Sequence, residues 1–497
     1  MDDALKLEYE AKNGWSLLDE DARKELTAFC EDYKKFLDDA KTEVEATNVL
    51  TAAAKAAGYA DIDDVIAAGG KIVPGMKLYA VNRGKSCAFI VAGKDDPTLG
   101  MKMIGAHIDC PRLDIKPRPI YEDSGFVLAK THYYGGIKKY QWVAMPLALH
   151  GVVFSDMGRK KLSVTLGEDE DDPVLYITDL LPHLAGGQMG KPASQVISAE
   201  QLNVVLGSVN AYKPPEKAAD EAAEADKAAD AETEGNDKSD EPKNDSLKTL
   251  ILKLINEKYG LKEEDFFRAE FEIVPAMKAK DVGLDRGLIG AYGQDDRVCS
   301  YTAFRALFDL DEVPEKTVLV YLSDKEEIGS MGNTGARSCW LENLILELVH
   351  LYDPAYGMLE LRRAMRNTKF LSADVTAAFD PTYADVSDKL NVAFAGGGIA
   401  FEKYTGSGGK FGSSDASAQL VTYIVDCLDH AGVPWQLTEM GKVDVGGGGT
   451  IAQFMADLGM DVIDCGVPVL SMHSPYELTS KADVYWTYKA YLAFIRA

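Results

Sequence analysis

Thr317-Val-Leu-Val-Tyr-Leu322 runs without a charge and is followed at once by Ser323-Asp324-Lys325-Glu326-Glu327-Ile328-Gly329-Ser330. An uninterrupted apolar run of this length reads as a strand buried on both faces, which needs a layer of structure on each side. Adjacent carboxylates at the end of such a strand are costly to bury unless something positive meets them. Taken alone, Glu326-Glu327 reads as a solvated loop, because exposed acidic residues are the norm. Whether that reading survives depends on what else the chain delivers to the same place.

The chain has 497 residues, of which 46% are hydrophobic, enough for a large core and too many for one compact unit. Its formal charge of −26 repels nucleic acid and anionic membranes, so neither is expected as a partner. The cysteines, Cys30, Cys87, Cys110, Cys299, Cys339, Cys427 and Cys465, are scattered, odd in number and free of any CxxC pair. That usage points to reduced thiols and a cytoplasmic protein. Met1-Asp-Asp-Ala-Leu-Lys6 lacks the basic and apolar regions of a signal peptide, and no apolar run approaches the ~18–20 residues of a membrane span.

In chain order, residues 2–58 read as helical, with Leu17, Leu18, Ala22, Leu26, Phe29, Tyr33 and Phe36 at helical spacing. Lys77–Val81 and Ala88–Ala92 read as paired strands, and the strand Met101–Ala106 runs straight into His107-Ile108-Asp109. From about 112 to 210 come many short β-like pieces. Residues 213–245 carry 12 acidic and 5 basic residues and no aromatic, Val, Ile or Leu side chain, so they read as a disordered acidic segment. After Asp281 strands and helices alternate to the end, with strands at 317–322 and 467–471, helices near 343–351 and 413–431, and a closing helix from Ala482. The expected fold is α/β, a mixed sheet flanked by helices, interrupted by an inserted β-rich domain. The boundaries read as 1–111 for the first part of the main domain, 112–268 for the insertion and 269–497 for the second part.

Ionisable residues gather at the expected strand ends. His107 follows 101–106, Asp295 precedes a helix, Glu326 and Glu327 follow 317–322, Asp374 follows Phe370-Leu-Ser-Ala373, and His473 follows Val467–Met472. Open α/β sheets place their ligand site at the carboxyl ends of strands, so these segments converge on one edge. Each alone has a bland reading, as a core histidine or a helix cap. Together, two histidines with aspartates and a glutamate are the donor set of a divalent metal pair, and if one Asp bridges, each ion keeps an open position. Asp109 stands where it can orient His107. Metal-bound water has its pKa lowered towards about 7, and a neighbouring carboxylate that is not a ligand can take its proton. Adjacent glutamates point apart, so one of Glu326 and Glu327 would ligate and the other act as base.

Gly105-Ala-His-Ile-Asp-Cys-Pro111, Gln294-Asp-Asp-Arg297, Asp324-Lys-Glu-Glu-Ile-Gly-Ser330, Ser372-Ala-Asp374 and Leu470-Ser-Met-His-Ser474 resemble, in order, the motifs of the aspartyl-aminopeptidase-like family of dinuclear zinc aminopeptidases, its bacterial branch in particular. The resemblance implies two zinc ions per chain, with cobalt or manganese as alternatives. His107 and Asp374 would hold one, Glu327 and His473 the other, and Asp295 would bridge. Glu326 would be the general base, and Asp109 would support His107. It also implies that the insertion is a dimerisation domain, that the protein is a homo-oligomer (a dodecamer built from dimers), and that it removes single N-terminal residues from peptides with a free N-terminus.

The sequence departs from the family in places. Eukaryotic members place a His in the dimerisation domain that reaches a neighbour's site; here the run is Gly135-Gly-Ile-Lys-Lys-Tyr-Gln-Trp142, leaving Lys138, Lys139 or Tyr140 as candidates or none. Lys403 falls near the substrate-binding Lys of members selective for acidic residues. Gly446-Gly-Gly-Gly-Thr450 lacks the ending of a phosphate loop and reads as cleft lining, with Gly448, Gly449 and Thr450 near substrate. Two other readings stand beside the aminopeptidase: a dinuclear amidohydrolase acting on N-acyl substrates, and a catalytically silent, shell-forming relative.

Overall fold

The computed structural model describes residues 7–209 and 246–497; the acidic segment 213–245 lies outside the described residues. The chain forms two compact units. One comprises Met1–Arg112, Tyr134–Ile137 and Met277–Ala497, the other Leu113–Tyr133 and Lys138–Ala276. No helix among the described residues is long and apolar enough to cross a membrane.

The first unit is built on a nine-stranded mixed sheet in the order Ala60–Asp61, Lys77–Asn82, Ser86–Val91, Val318–Ser323, Lys102–His107, Lys369–Ala373, Asp461–Gly466, Ile399–Glu402, Trp435–Thr438. Its four central strands, from Val318–Ser323 to Asp461–Gly466, are mutually parallel. The strand Val318–Ser323 is buried at every position. Its side chains alternate between two cores. Val318, Val320 and Leu322 join a core with Phe29 and Tyr33 of helix Glu20–Asp39, Val298 and Phe304 of helix Gln294–Phe308, and Tyr491 of helix Lys481–Arg496. Leu319 and Tyr321 join the opposite core with Leu344 and Leu348 of helix Trp340–Tyr352, Leu361 of helix Met358–Asn367, and Met455 of helix Ala452–Asp457. A second, five-stranded sheet runs Lys280–Val282, Leu288–Ala291, Glu477–Ser480, Pro468–Leu470, Thr376–Ala377.

The N-terminal helical run is two helices, Glu20–Asp39 and Glu43–Ala56. Thr42 and Glu45 form a capping box that starts the second, satisfying the end amides that a continuous helix would have spent on the ladder. Residues 7–18 are not helical. The strands Ile399–Glu402, Trp435–Thr438 and Asp461–Gly466 are too short or too mixed in polarity for periodicity to announce them.

The second unit holds a seven-stranded sheet in the order Ala269–Pro275, Arg112–Asp123, Phe126–Tyr134, Asn203–Gly207, Leu175–Tyr176, Pro146–Ser155, Lys160–Leu166. Ala269–Pro275 also pairs with Pro146–Ser155, which closes the order into a ring. The strand Ala269–Pro275 therefore belongs to this unit, and the chain re-enters the first unit at Met277 rather than at 269.

Gly105 sits in the central strand between two parallel neighbours. A Cβ there would lie 2.2 Å from Phe370 Cζ and 3.0 Å from Ile451 Cδ1, both side chains in the core. Gly105→Ala is expected to cost roughly 1–3 kcal/mol by overpacking. The measurement is the urea midpoint, which should fall with an unchanged slope; an unmoved midpoint would mean that Phe370 swings aside freely.

Candidate metal centre and active site

The parallel register places the ends of the central strands level. Ser323 pairs with His107, and Ala373 with Cys465. His107 ends its strand, and Asp374 follows Ala373. Beyond Ser323 the chain turns sharply. Lys325 (φ 65°) and Gly329 (φ 89°) are both left-handed and bracket a short 3₁₀ turn, Glu326–Ile328. That turn folds the doublet back over the sheet edge instead of letting it run into solvent. Asp295 lies in the irregular first turn of helix Gln294–Phe308, where the Asp295–Asp296 peptide is cis. His473 lies between two strands of the smaller sheet and has φ 64°.

These segments meet around Asp295. Its Oδ1 is 3.2 Å from His107 Nε2 and its Oδ2 is 3.2 Å from His473 Nε2. Asp374 Oδ1 is 3.7 Å and Glu326 Oε2 3.9 Å from His107 Nε2, while Glu327 Oε2 is 3.5 Å from His473 Nε2. Both imidazoles spend Nδ1 on a main-chain carbonyl, that of Asp109 at 3.0 Å for His107 and that of Gly136 at 2.9 Å for His473. An Nδ1–H donated in this way leaves the Nε2 lone pair facing the centre, the arrangement of metal-ligating histidines.

Asp109 stands beside His107 and does more than was expected of it. Its carboxylate stands 3.4 Å from His107 Nδ1, and the closer contact to that nitrogen is its main-chain carbonyl. The carboxylate accepts the N–H of Glu326 at 3.1 Å and of Glu327 at 3.2 Å, together with the Tyr134 hydroxyl at 2.8 Å. It therefore anchors the doublet's backbone. Glu477, which the motifs did not single out, is its counterpart: its oxygens accept the N–H of Asp295 at 3.1 Å and of His473 at 2.7 Å. A carboxylate opening a short strand four residues after a site histidine was the available signal. Asp296 follows Asp295 in the same irregular first turn. It accepts the His107 N–H at 3.3 Å and leaves Oδ1 buried without a partner.

Negative charge exceeds positive here. Burial pushes Glu326 up to about 8, with Asp374, Asp109 and Asp295 adding to the shift against His107. Burial raises Glu327 and Asp374 as well. His473 moves up to about 10 because Asp295 and Glu327 outweigh its burial. Asp295 and Asp109 are held low: desolvation would raise both, but His107 and His473 overcome it at Asp295, and His107, Tyr134 and Arg112 at Asp109. Asp295 Oδ1 and Glu327 Oε1 are buried without hydrogen-bond partners. Nitrogen and oxygen donors, orphaned carboxylate oxygens and surplus negative charge suit a borderline divalent cation such as zinc. Ligand atoms of His107, Asp295 and Glu327 lie within 4.8 Å of one another, as do those of His107, Asp296 and Asp374. Cys110 is not a donor to this centre; its Sγ–H donates to the Asp295 carbonyl at 2.8 Å.

A cavity of about 490 Å³ opens on Asp295, Glu326, Glu327, Asp374 and His473. Gly448, Gly449 and Thr450 line it. Lys403 does not: it is exposed, and its neighbour Glu402 lines the wall instead. Lys138, Lys139 and Tyr140 belong to the second unit.

A buried and a half-buried imidazole with carboxylates around an open cavity, at the carboxyl edge of a mixed sheet, define a metal-dependent hydrolase. The family model of peptidase M18, the aminopeptidase I zinc metalloproteases, matches residues 36–495, and the chain belongs to that family. It is thus a zinc-dependent peptide hydrolase. It is 45% identical to a probable M18 family aminopeptidase 1 of Clostridium acetobutylicum over 98% of each chain, and 41% identical to one of Thermotoga maritima over 98% of each. The crystal structure of the M18 aminopeptidase of Thermotoga maritima superposes with a TM-score of 0.87 at 40% identity, covering 98% of this chain and all of that one. Aminopeptidase I of Clostridium acetobutylicum gives 0.86 at 42%, covering 99% and 100%. The dodecamer of yeast mApe1 shares the fold, with a TM-score of 0.71 at 18% identity over 95% of this chain and 97% of that one.

Glu477→Gln keeps the shape but sets an amide NH₂ against a main-chain N–H. Loss of such an outer partner is expected to weaken zinc binding by about 10–100-fold. Competition with a chromogenic chelator measures it, and unchanged affinity would reduce Glu477 to a packing role.

Proposed function

We propose that the protein is an aminopeptidase working through a dinuclear zinc site, in which Asp295 bridges, His107 and Asp374 hold one ion, and His473 and Glu327 hold the other. The observation that carries this reading is the position of Asp295, with each carboxylate oxygen 3.2 Å from a different imidazole. When bound, zinc would polarise the scissile carbonyl and acidify a water for attack.

The protein's own groups do the rest. Glu326 is buried beside the cluster, and Asp109 fixes the backbone from which it projects. Its raised affinity for a proton suits a base that takes one from the attacking water and returns it to the leaving amine. Glu327, on the same turn and also fixed by Asp109, faces His473. The doublet is thereby divided between proton transfer and metal holding. The wall around Gly448, Gly449 and Thr450 lets main chain approach a peptide closely.

The assembly expected from the family, a homo-oligomer and a dodecamer built from dimers through the β-rich unit, belongs to the same proposal. So does a cytoplasmic setting, in which the free thiols Cys30 to Cys465 stay reduced.

Glu326→Gln tests the assignment. It should keep the zinc content and thermal stability of the wild type and lose about 10²–10⁴-fold in kcat on aminoacyl anilides, the usual contribution of a positioned base. N-acetylated anilides should not be cleaved by the wild type. Wild-type turnover in the variant would remove Glu326 from the base role, and cleavage of the blocked substrates would favour the N-acyl amidohydrolase.

A further inference from the structure

The cavity that opens on the metal-candidate residues has a second acidic wall. Glu402 ends the strand Ile399–Glu402, and Asp464 lies on the antiparallel strand Asp461–Gly466. The two are direct partners in register, so their side chains share a face. Both line the cavity. Glu402 is 5% exposed and Asp464 4%. Like charges directly opposite on neighbouring strands destabilise a sheet unless something stands between them.

Their protein partners are hydroxyls only. Asp464 Oδ1 accepts from Thr450 Oγ1 at 2.5 Å. Glu402 Oε1 accepts from Thr376 Oγ1. The other oxygen of Glu402 has no hydrogen-bond partner among the described residues, although the side chain is almost wholly buried and faces the cavity. The largest influences on either carboxylate among the described residues are burial, hydroxyls and other carboxylates. Burial accordingly pushes Glu402 up to about 8, with Asp464 and Asp374 adding, and Asp464 up to about 7, with Asp374 adding.

An aminopeptidase holds its substrate by the first residue while the rest of the peptide leaves towards solvent. The buried end of the cavity therefore meets the side chain of the first residue. On this wall that side chain encounters carboxylates and threonine hydroxyls, an acceptor surface with one carboxylate oxygen left over. The lysine that would have favoured acidic residues, Lys403, is exposed and off the wall.

We propose that Glu402, with Asp464 beside it, sets the first-residue preference of this enzyme, and that its preferred substrates are peptides whose N-terminal side chain is cationic, lysine or arginine. The inference rests on the aminopeptidase reading and adds the substrate class. An ammonium or guanidinium donates into the unpartnered oxygen and stabilises the ionised form of both carboxyl groups, which burial otherwise disfavours. An acidic first residue meets like charge in a buried site, and a leucine leaves the acceptors without donors.

The test is kcat/KM of the zinc enzyme on Lys, Arg, Leu, Met, Glu and Asp anilides, for the wild type, Glu402→Gln and Asp464→Asn. Lysine and arginine should exceed the acidic substrates and leucine by at least about tenfold, and Glu402→Gln should lower the Lys-to-Leu ratio by at least about tenfold, mainly through KM. A wild-type preference for leucine or glutamate overturns the proposal, as does a Lys-to-Leu ratio that neither substitution moves. Calorimetric binding of L-lysine and L-glutamate to the wild type separates this failure from that of the activity. An active enzyme that binds both equally sinks the specificity alone, and an inactive one that still selects lysine sinks the aminopeptidase reading alone.

Discussion

Asp295 standing between two imidazoles is the contact on which the site depends. Its carboxylate is buried, and neither imidazole is free to leave, because each is tied at Nδ1 to a main-chain carbonyl. Around this axis Asp374, Glu326 and Glu327 add negative charge that the histidines do not offset. A buried group of this composition is stable only with cations or protons in it. Zinc, the metal of the family, meets that electrostatic demand.

The fold supplies that geometry through two carboxylates that touch main chain. Asp109 collects the amides of Glu326 and Glu327, and Glu477 those of Asp295 and His473. Parallel strands held in register bring His107, Asp374 and the doublet to one level. The smaller sheet brings His473. A main-chain amide held by a buried charge moves less than a side chain held by packing alone, and a metal centre needs that stiffness.

Part of the central sheet was legible because its strands are apolar runs ending in charge, uninterrupted at Thr317–Leu322 and broken only by Lys102 at Met101–Ala106. The residues proposed as ligands announced themselves by type and by position at strand ends. Residues whose function lies in hydrogen-bonding main chain did not. Nothing in the type of Glu477 tells a buried amide acceptor from an ordinary strand-edge glutamate, and the second task of Asp109, beside its contact with His107, is a tertiary fact because the amides it accepts lie on the turn after a neighbouring strand. The second wall shows how narrow the margin is. Side chains on a strand alternate, with Ala400 and Glu402 facing the cavity and Ile399 and Phe401 the core. Lys403, the contact implied by the resemblance, and Glu402, the residue proposed above, are one position apart and opposite in charge.

The most direct test of the account is diffraction at the zinc absorption edge from crystals of the zinc-loaded protein. The account predicts two anomalous peaks per chain about 3.5–4 Å apart, a separation typical of two-metal sites. One should lie by His107 and Asp374, the other by His473 and Glu327, with Asp295 between them. A single peak, or zinc bound away from Asp295, would contradict it.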